Sequence, residues 1–333
     1  FPDINHNLQF LTAHYSSAYD EDRTKGSHPI RQNLTNLKNA GSLYGSIIYN
    51  KAPIMMRQLE TTMGKEVFQK GIQKYIQKYA NSNADWEDLV EILDKGTTLN
   101  MKKWSDVWVN QSGRALFTDH IEYGDAQTIK NFVLRQQAED GSPNVWPQIF
   151  EIGLVYPDTI KVIQVNVNSR ITEIKEAIGL QKPISVIYNY NGYGYGVFPI
   201  DPNNLDKTPE IKDEVARAYS YINAYENTLT GKITAVKAFD VFVKGIAVEQ
   251  NELIVKLLSN QLSSIFWDFL TIKQQVVAQA ELEQLLFNKL QTELPSNIKK
   301  TIFGLFESIA YSKTGKEKLY QIWNKEIAIA NLK

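Results

Sequence analysis

The chain has 333 residues, of which 43% are hydrophobic and 22% are charged, and its formal charge at pH 7 is −1. This length is enough for two or three domains with cores of their own, and the near-neutral balance gives no general attraction to nucleic acid. Cysteine is absent, which excludes disulfides, thiolate metal sites and a cysteine nucleophile. The apolar runs are far shorter than the ~20 residues of a membrane span, and these features leave the cellular compartment open.

The first third of the chain, residues 1 to about 113, is predicted to be mostly helical because its apolar residues recur at helical spacing. Either Asn83 or Asp85 is a candidate N-cap for one of these helices. Trp104 and Trp108 are four residues apart and are expected to share one helix face.

Between about residues 115 and 200 the apolar period changes to two. Ile160, Val162, Val165 and Val167 run close to alternation, and other short segments are rich in β-branched and aromatic residues. Prolines separate these segments. Short strands at this spacing predict a small β-sandwich.

Amphipathic helical patterns return from about residue 205 and are joined by short turns. The predicted helices cover residues 213–225, 233–245, 251–259, 262–270 and 274–293. Successive short helices are typical of an α-solenoid or HEAT-like array. The predicted fold class is therefore α+β, with several domains.

The four histidines, His6, His14, His28 and His120, do not form an H-E-x-x-H pair, the pattern that sets two imidazoles on one helix face beside a general base. No metal ligand is therefore assigned within the chain. Serine-hydrolase elbows and phosphate-binding loops are also missing from the sequence. The glycine-rich stretch 192–196 leads into strand-forming residues, which predicts a turn followed by an edge strand.

The stretch from Ser42 to Pro53 has the strongest functional pattern. It contains Tyr44, Tyr49 and Lys51, and it is predicted to lie just before a helix that opens with Pro53. An aromatic residue at such a place usually serves packing. A phenol there can also donate a hydrogen bond to an oxyanion, because phenols ordinarily stay protonated at neutral pH.

Several segments together resemble the gluzincin aminopeptidases of peptidase family M1. They are Ser27-His28-Pro29-Ile30, Tyr44-x4-Tyr49-x-Lys51, Met56-Arg57-Gln58-Leu59, the helix Gly64 to Tyr75, Asn83 to Leu89, and Trp104 to Gly113. The resemblance is strong over residues 27–113 and weaker beyond them, where Tyr188 to Val197 is similar to the last hairpin of the family's β-sandwich.

For the fold, the resemblance implies three parts. Residues 1–113 would be the helical C-terminal lobe of a thermolysin-like catalytic domain. Residues 114–202 would be a small β-sandwich, and residues 203–333 an α-helical, HEAT-like domain. The first residue is Phe1 rather than methionine, and we expect the chain to be a piece of a longer bacterial protein. The N-terminal part of the same protein would then be a partner of this chain.

For the function, the resemblance implies a zinc-dependent aminopeptidase that hydrolyses N-terminal residues from peptides. In this family two histidines and a glutamate hold zinc, another glutamate is the general base, and a tyrosine donates a hydrogen bond to the oxyanion. By motif position that catalytic tyrosine is Tyr49, and Tyr44 matches a substrate-binding position near the pocket for the N-terminal side chain. The zinc ligands would precede Phe1, so zinc belongs to the full-length protein, and this chain alone is expected to bind none and to be inactive.

One position departs from the family pattern, since Ala52 stands where a glycine is usual. This departure and the large helical region leave open a non-catalytic M1-like scaffold or protein-interaction module. A third reading, an unrelated helical-repeat binding module, would require residues 27–113 to match by accident.

Overall fold

The structure is a computed structural model that describes residues 4–34, 36, 38, 41 and 44–332. It divides into two compact units: Ala13–Pro199, and the residues up to Thr12 together with those from Ile200 onward. The described residues form a mixed helical and sheet protein with a helical C-terminal region, which confirms the fold class at that level. None of their helices has the length and apolarity needed to cross a membrane.

Helices dominate the first part of the chain, as predicted. They are α1 (His6–Asp22), a π-helical turn (Ile47–Lys51), α2 (Ala52–Met63), α3 (Lys65–Tyr79), α4 (Trp86–Asp94) and α5 (Met101–Asn110). Of the two candidate caps, Asp85 is the one used: its side chain accepts from the backbone N–H of Asp88, whose own side chain accepts from the N–H of Asp85. The rings of Trp104 and Trp108 stack on one face of α5, with centroids 5.7 Å apart.

Pro53 lies in the first turn of the α-helix α2, which begins at Ala52, so the predicted proline-led helix is confirmed. The π-helical turn precedes this helix and runs into it without a break, so helical structure extends upstream of Pro53. The backbone N–H of Ala52 donates to the carbonyl of Ile47, five residues back. Since proline has no N–H to continue the ladder, a wider turn immediately before it removes the conflict that an α-helical register would create.

The strands form two small sheets within Ala13–Pro199. Their bounds are β1 (Ala115–Tyr123), β2 (Ile129–Ala138), β3 (Gln148–Val155), β4 (Ile160–Val167), β5 (Ile171–Glu173), β6 (Ser185–Tyr188) and β7 (Gly196–Val197). One sheet has the order β5-β2-β1-β7 and the other β4-β3-β6. All described pairings are antiparallel except β1 with β7.

Aromatic side chains bring the two sheets into contact. Phe117 of β1 lies against Phe150 of β3 at a centroid distance of 5.7 Å, and Phe198 stacks on Phe117 at 4.5 Å. In β4 the buried residues are Ile163, Val165 and Val167, whereas Val162 is exposed. The buried alternation therefore begins at Ile163, and Val162 is not part of it.

The stretch from Tyr188 to Val197 is not a hairpin, contrary to the expectation. Tyr188 ends β6 in one sheet, and β7 belongs to the other sheet, where it is an edge strand next to β1. The chain therefore crosses from the sheet of β6 to the sheet of β1, where Gly196 pairs in parallel with Ala115. The predicted turn and edge strand after the glycine-rich stretch are confirmed.

The segment Tyr193–Tyr195 within this crossing is held by three buried amide side chains instead of a strand partner. Gln148 accepts from the N–H of Tyr195 and donates to its carbonyl, and Asn189 does the same for Gly194. Gln58 donates to the carbonyl of Tyr193. Buried backbone groups that lack a hydrogen bond cost free energy. These amides remove that cost for a buried segment without regular secondary structure.

Short helical elements fill the rest of the chain. After two 3₁₀ turns at Lys175–Ala177 and Leu205–Glu210 come α6 (Glu214–Leu229), α7 (Ala235–Val248), α8 (Glu252–Ser264), a π-helical turn (Ile265–Phe269), α9 (Ile272–Gln291), α10 (Ser296–Ile309) and α11 (Lys313–Trp323). The two helices predicted at 251–259 and 262–270 are one continuous helical segment that ends in the π-helical turn.

Gly196→Ala should destabilise the protein by about 2–4 kcal/mol, because backbone strain and overpacking act together. The φ of Gly196 is +150°, and an added Cβ would lie 2.5 Å from the carbonyl oxygen of Ala115. Urea denaturation followed by circular dichroism measures the loss. The matched control is Gly304→Ala on α10, where nothing lies within 4 Å of an added Cβ; equal losses in the two variants would contradict the prediction.

Candidate functional site

Tyr44 and Tyr49 lie beside each other on the surface of Ala13–Pro199. Their ring centroids are 6.0 Å apart, and their side chains are 61% and 60% exposed, respectively. Within the described part of the chain, neither hydroxyl has a hydrogen-bond partner. Ser42 and Leu43, which open this stretch of sequence, lie outside the described residues. Tyr49 is therefore an accessible donor on the π-helical turn, with a second aromatic ring next to it.

Lys51 follows Tyr49 by two residues and points into the protein instead. Its side chain is fully buried, and its Nζ donates to the Asp22 carboxylate and to the carbonyl oxygen of Gly113, each at 2.7 Å. The ring of Tyr195 lies below the ammonium at 5.6 Å. Burial lowers the pKa of Lys51, and the neighbouring Asp22 charge acts in the opposite direction. Lys51 is thus a paired lysine of the interior.

The Asp22 carboxylate at the end of α1 is the acceptor on which this interior cluster converges. One oxygen accepts from the Ser27 hydroxyl at 2.7 Å and from the Gly113 N–H at 3.1 Å. The other accepts from Lys51 and, at 2.9 Å, from the Tyr195 hydroxyl. A buried carboxylate is stable only when paired and hydrogen-bonded, and Asp22 meets both conditions. We call Asp22, Lys51, Ser27, Gly113 and Tyr195 the Asp22 cluster.

A second anchor fastens the helix that follows Tyr49. The buried side chain of Gln58 on α2 accepts from the N–H of Ile149 and donates to the carbonyls of Ile149 and Tyr193, at 2.6–2.9 Å. The guanidinium of Arg57 lies 4.9 Å from the centre of the Tyr193 ring. Because α2 continues the π-helical turn, these contacts and the Asp22 cluster hold both ends of the segment that carries Tyr49.

The histidines are spread over the chain. Nδ1 of His14 lies 3.1 Å from Oδ1 of Asn50, which separates Tyr49 from Lys51. His28 contacts Gln32, and His120 pairs with Glu122. Across residues 4–34, 36, 38, 41 and 44–332, no three His, Cys, Asp or Glu side chains are grouped so that they could hold a metal ion. The described residues offer no such group for zinc, so no step is assigned to zinc on this chain.

Sequence reasoning found Tyr44 and Tyr49 but missed the residues that hold them. Asp22 is one of several acidic residues near the end of α1, and nothing in its sequence neighbourhood distinguishes it. Gln58 lies in a segment that was recognised only by its resemblance. The available signal was a lysine at a helical position two residues from Tyr49, which requires a buried acceptor if it faces inward.

Gln58→Leu should destabilise the protein by about 2–4 kcal/mol, because it removes the side-chain acceptor of the Ile149 N–H and one of the two side-chain donors to the carbonyl of Tyr193. Thermal and urea unfolding measure the effect. Gln69→Leu is the matched control, since Gln69 is exposed on α3, and there the change should stay within about 0.5 kcal/mol. A similar small effect at Gln58 would show that its hydrogen bonds contribute nothing.

The stability of the protein should fall above about pH 10, where unfolded tyrosines ionise. Burial, together with the Asp22 charge, raises the pKa of Tyr195 well above its usual value, so the native state keeps a proton that the unfolded chain releases. This group's stabilisation is complete below the unfolded pKa and is lost as the pH rises, at about 1.4 kcal/mol per pH unit. Lys51, with a lowered pKa, acts with the opposite sign.

Denaturation at a series of alkaline pH values tests this dependence. Tyr195→Phe should reduce the downward slope of unfolding free energy against pH by about 1.4 kcal/mol per pH unit, the contribution of one proton. Tyr188→Phe should do the same, since burial also raises the pKa of Tyr188 well above its usual value. An unchanged slope in both variants would refute the explanation.

Comparison with known proteins adds an independent finding. Residues 1–108 match the model of the Peptidase family M1 domain. The chain is similar to aminopeptidase N of Streptomyces lividans, with 24% identity over 263 residues, 73% of this chain and 30% of that protein. It is also similar to aminopeptidase M1-D of Oryza sativa subsp. japonica (35% over 142 residues; 42% of this chain, 16% of the relative).

Human glutamyl aminopeptidase is a further relative, 30% identical over 135 residues, which are 40% of this chain and 14% of that protein. The chain thus spans less than a third of the length of these three relatives. The matched region contains the π-helical turn and both tyrosines. The relatives are aminopeptidases by name, so the function common to them is that of a peptidase. The domain match and these relatives show that the chain is similar to peptidase family M1 over its first 108 residues.

Proposed function

We propose that this chain is the C-terminal portion of a zinc-dependent aminopeptidase that removes N-terminal residues from peptides, with Tyr49 as the oxyanion donor. One observation carries the proposal. The phenol of Tyr49 is exposed on a helical turn, while Lys51, two residues later on the same turn, is fully buried. Similarity to the peptidase family M1 domain and to named aminopeptidases supplies the reaction class. The peptide substrates and the activity of the whole protein are part of the proposal.

Hydrolysis of the first peptide bond places negative charge on the carbonyl oxygen when a water oxygen adds to the carbonyl carbon. A donor aimed at that oxygen lowers the barrier, because it binds the developing charge more strongly than it binds the neutral substrate. The Tyr49 hydroxyl, which has no partner among the described residues, is available for this bond. We assign Tyr44 to the pocket for the peptide's N-terminal side chain, since its ring lies 6.0 Å from that of Tyr49.

The domain division is proposed on the same basis. Residues 1–113 would be the helical lobe of a zincin catalytic domain, residues 114–202 a β-sandwich and residues 203–333 an α-helical domain with HEAT-like packing. The onset of β1 at Ala115 and the contact of Phe117 with Phe150 between the sheets support the second part. The zinc ligands and the general base would come from the N-terminal part of the same protein, so the isolated chain would be inactive.

Tyr49→Phe in the full-length protein should lower kcat by about 10²–10³-fold, the usual loss when one oxyanion donor is removed. Bound zinc and thermal stability should stay unchanged, because the hydroxyl makes no hydrogen bond with the described residues. Initial rates on a panel of amino-acid p-nitroanilides, together with metal analysis, measure both quantities.

Tyr320→Phe is the matched control, an equally exposed tyrosine on α11, and it should leave kcat unchanged. A near-normal rate in the Tyr49 variant would remove the assigned role. A wild-type protein that neither binds zinc nor hydrolyses any of these substrates would instead favour the non-catalytic scaffold.

A further inference from the structure

Tyr49 and Lys51 lie on opposite sides of one helical turn. Residues two apart on a helix do not face each other, and here the lysine is fully buried while the tyrosine is 60% exposed. Rotation of the turn about its axis would move both side chains together. Whatever holds Lys51 inward therefore also sets the direction in which the Tyr49 hydroxyl points.

Lys51 is held by directional contacts and not by packing alone. Its ammonium donates to Asp22 and to the carbonyl of Gly113, both at 2.7 Å. These acceptors are themselves fixed, because Asp22 also accepts from Ser27, Tyr195 and the N–H of Gly113. A charged group with two short hydrogen bonds to fixed acceptors allows much less rotation of the turn than an apolar side chain would.

A buried ion pair is in general weak evidence for stability. Replacing a buried ion pair by hydrophobic residues of similar volume is often neutral or stabilising. Net stability alone gives no reason for an ion pair at this position, whereas its geometry does orient the turn. The contact between His14 and Asn50, at 3.1 Å, restrains the same turn from another direction.

We propose that the Lys51–Asp22 pair is a positioning device that acts on catalysis through Tyr49, by fixing the rotation of the π-helical turn Ile47–Lys51. This inference rests on the proposed function of Tyr49 and adds the residues that orient it. Lys51 and Asp22 are positioning residues and do not touch the substrate.

A double-mutant cycle in the full-length protein tests the device. Lys51→Met keeps the length of the side chain and removes its charge. It should lower kcat by about 10–100-fold when Tyr49 is present, since a displacement of about 1 Å can cost that much. In the Tyr49→Phe background the same change should lower kcat by less than about threefold, because a residue that acts only through the hydroxyl has nothing left to position.

Rates are normalised to the folded fraction, and Asp22→Asn, which keeps the shape of the side chain, is measured in parallel in case Lys51→Met folds poorly. Asp22→Asn should show the same dependence on the background. Lys299→Met is the matched control: Lys299 is also buried and donates to a backbone carbonyl, that of Ala330, at 2.7 Å. It should leave kcat unchanged in both backgrounds.

Equal loss of kcat with and without the Tyr49 hydroxyl would overturn the positioning role, because a purely structural effect multiplies both rates alike. That result is distinct from a failure of the proposed function. The latter would appear as a normal rate for Tyr49→Phe alone, before Lys51 is changed.

Discussion

The site depends on one constraint: the buried carboxylate of Asp22 must be paired. Its oxygens accept from a hydroxyl, a phenol, a backbone N–H and an ammonium, and these donors come from separate parts of the chain. Removing any donor leaves charge in a medium that solvates it poorly. The end of α1, the π-helical turn, the residues after α5 and the glycine-rich crossing are therefore held to one another by a single group.

The same principle explains the segment Tyr193–Tyr195. It runs through the interior without a strand partner, and its backbone groups would be costly if left unpaired. Gln58, Gln148 and Asn189 supply donors and acceptors in the pattern that a neighbouring strand would supply. Gln148 lies in β3 and Asn189 directly follows β6, whereas Gln58 lies on the helix that continues the tyrosine-bearing turn. Polar side chains thus join the helices of this unit to its sheets.

Arginine adds to this polar interior. Arg114 is buried and makes paired hydrogen bonds to Glu139, and its guanidinium lies 4.8 Å from the centre of the Tyr19 ring. The Tyr19 hydroxyl in turn donates to the carbonyl of Gly196. Such networks add little net stability when compared with apolar packing. Their directional bonds do restrict the elements to one arrangement, which a surface-exposed donor such as Tyr49 requires if it is to bind a transition state.

Local patterns predicted local structure well. The helical periodicity, the Asp85 cap and the shared face of Trp104 and Trp108 depend on neighbours within a few residues, and all agree with the structure. Errors arose where a distant partner decided the outcome. The stretch ending at Val197 has the composition of a hairpin, but its last strand pairs with β1 because the backbone of Gly196 fits closely against Ala115.

The sequence by itself determined the mixed helical and sheet composition, the helical C-terminal region and the two tyrosines that carry the functional pattern. The tertiary structure alone decided that Tyr49 faces outward while Lys51 faces inward, and that Asp22 is the acceptor. Helical periodicity specifies which residues share a face but not the rotation of that face. Rotation follows from where buried donors find acceptors, and those lie far away in the chain.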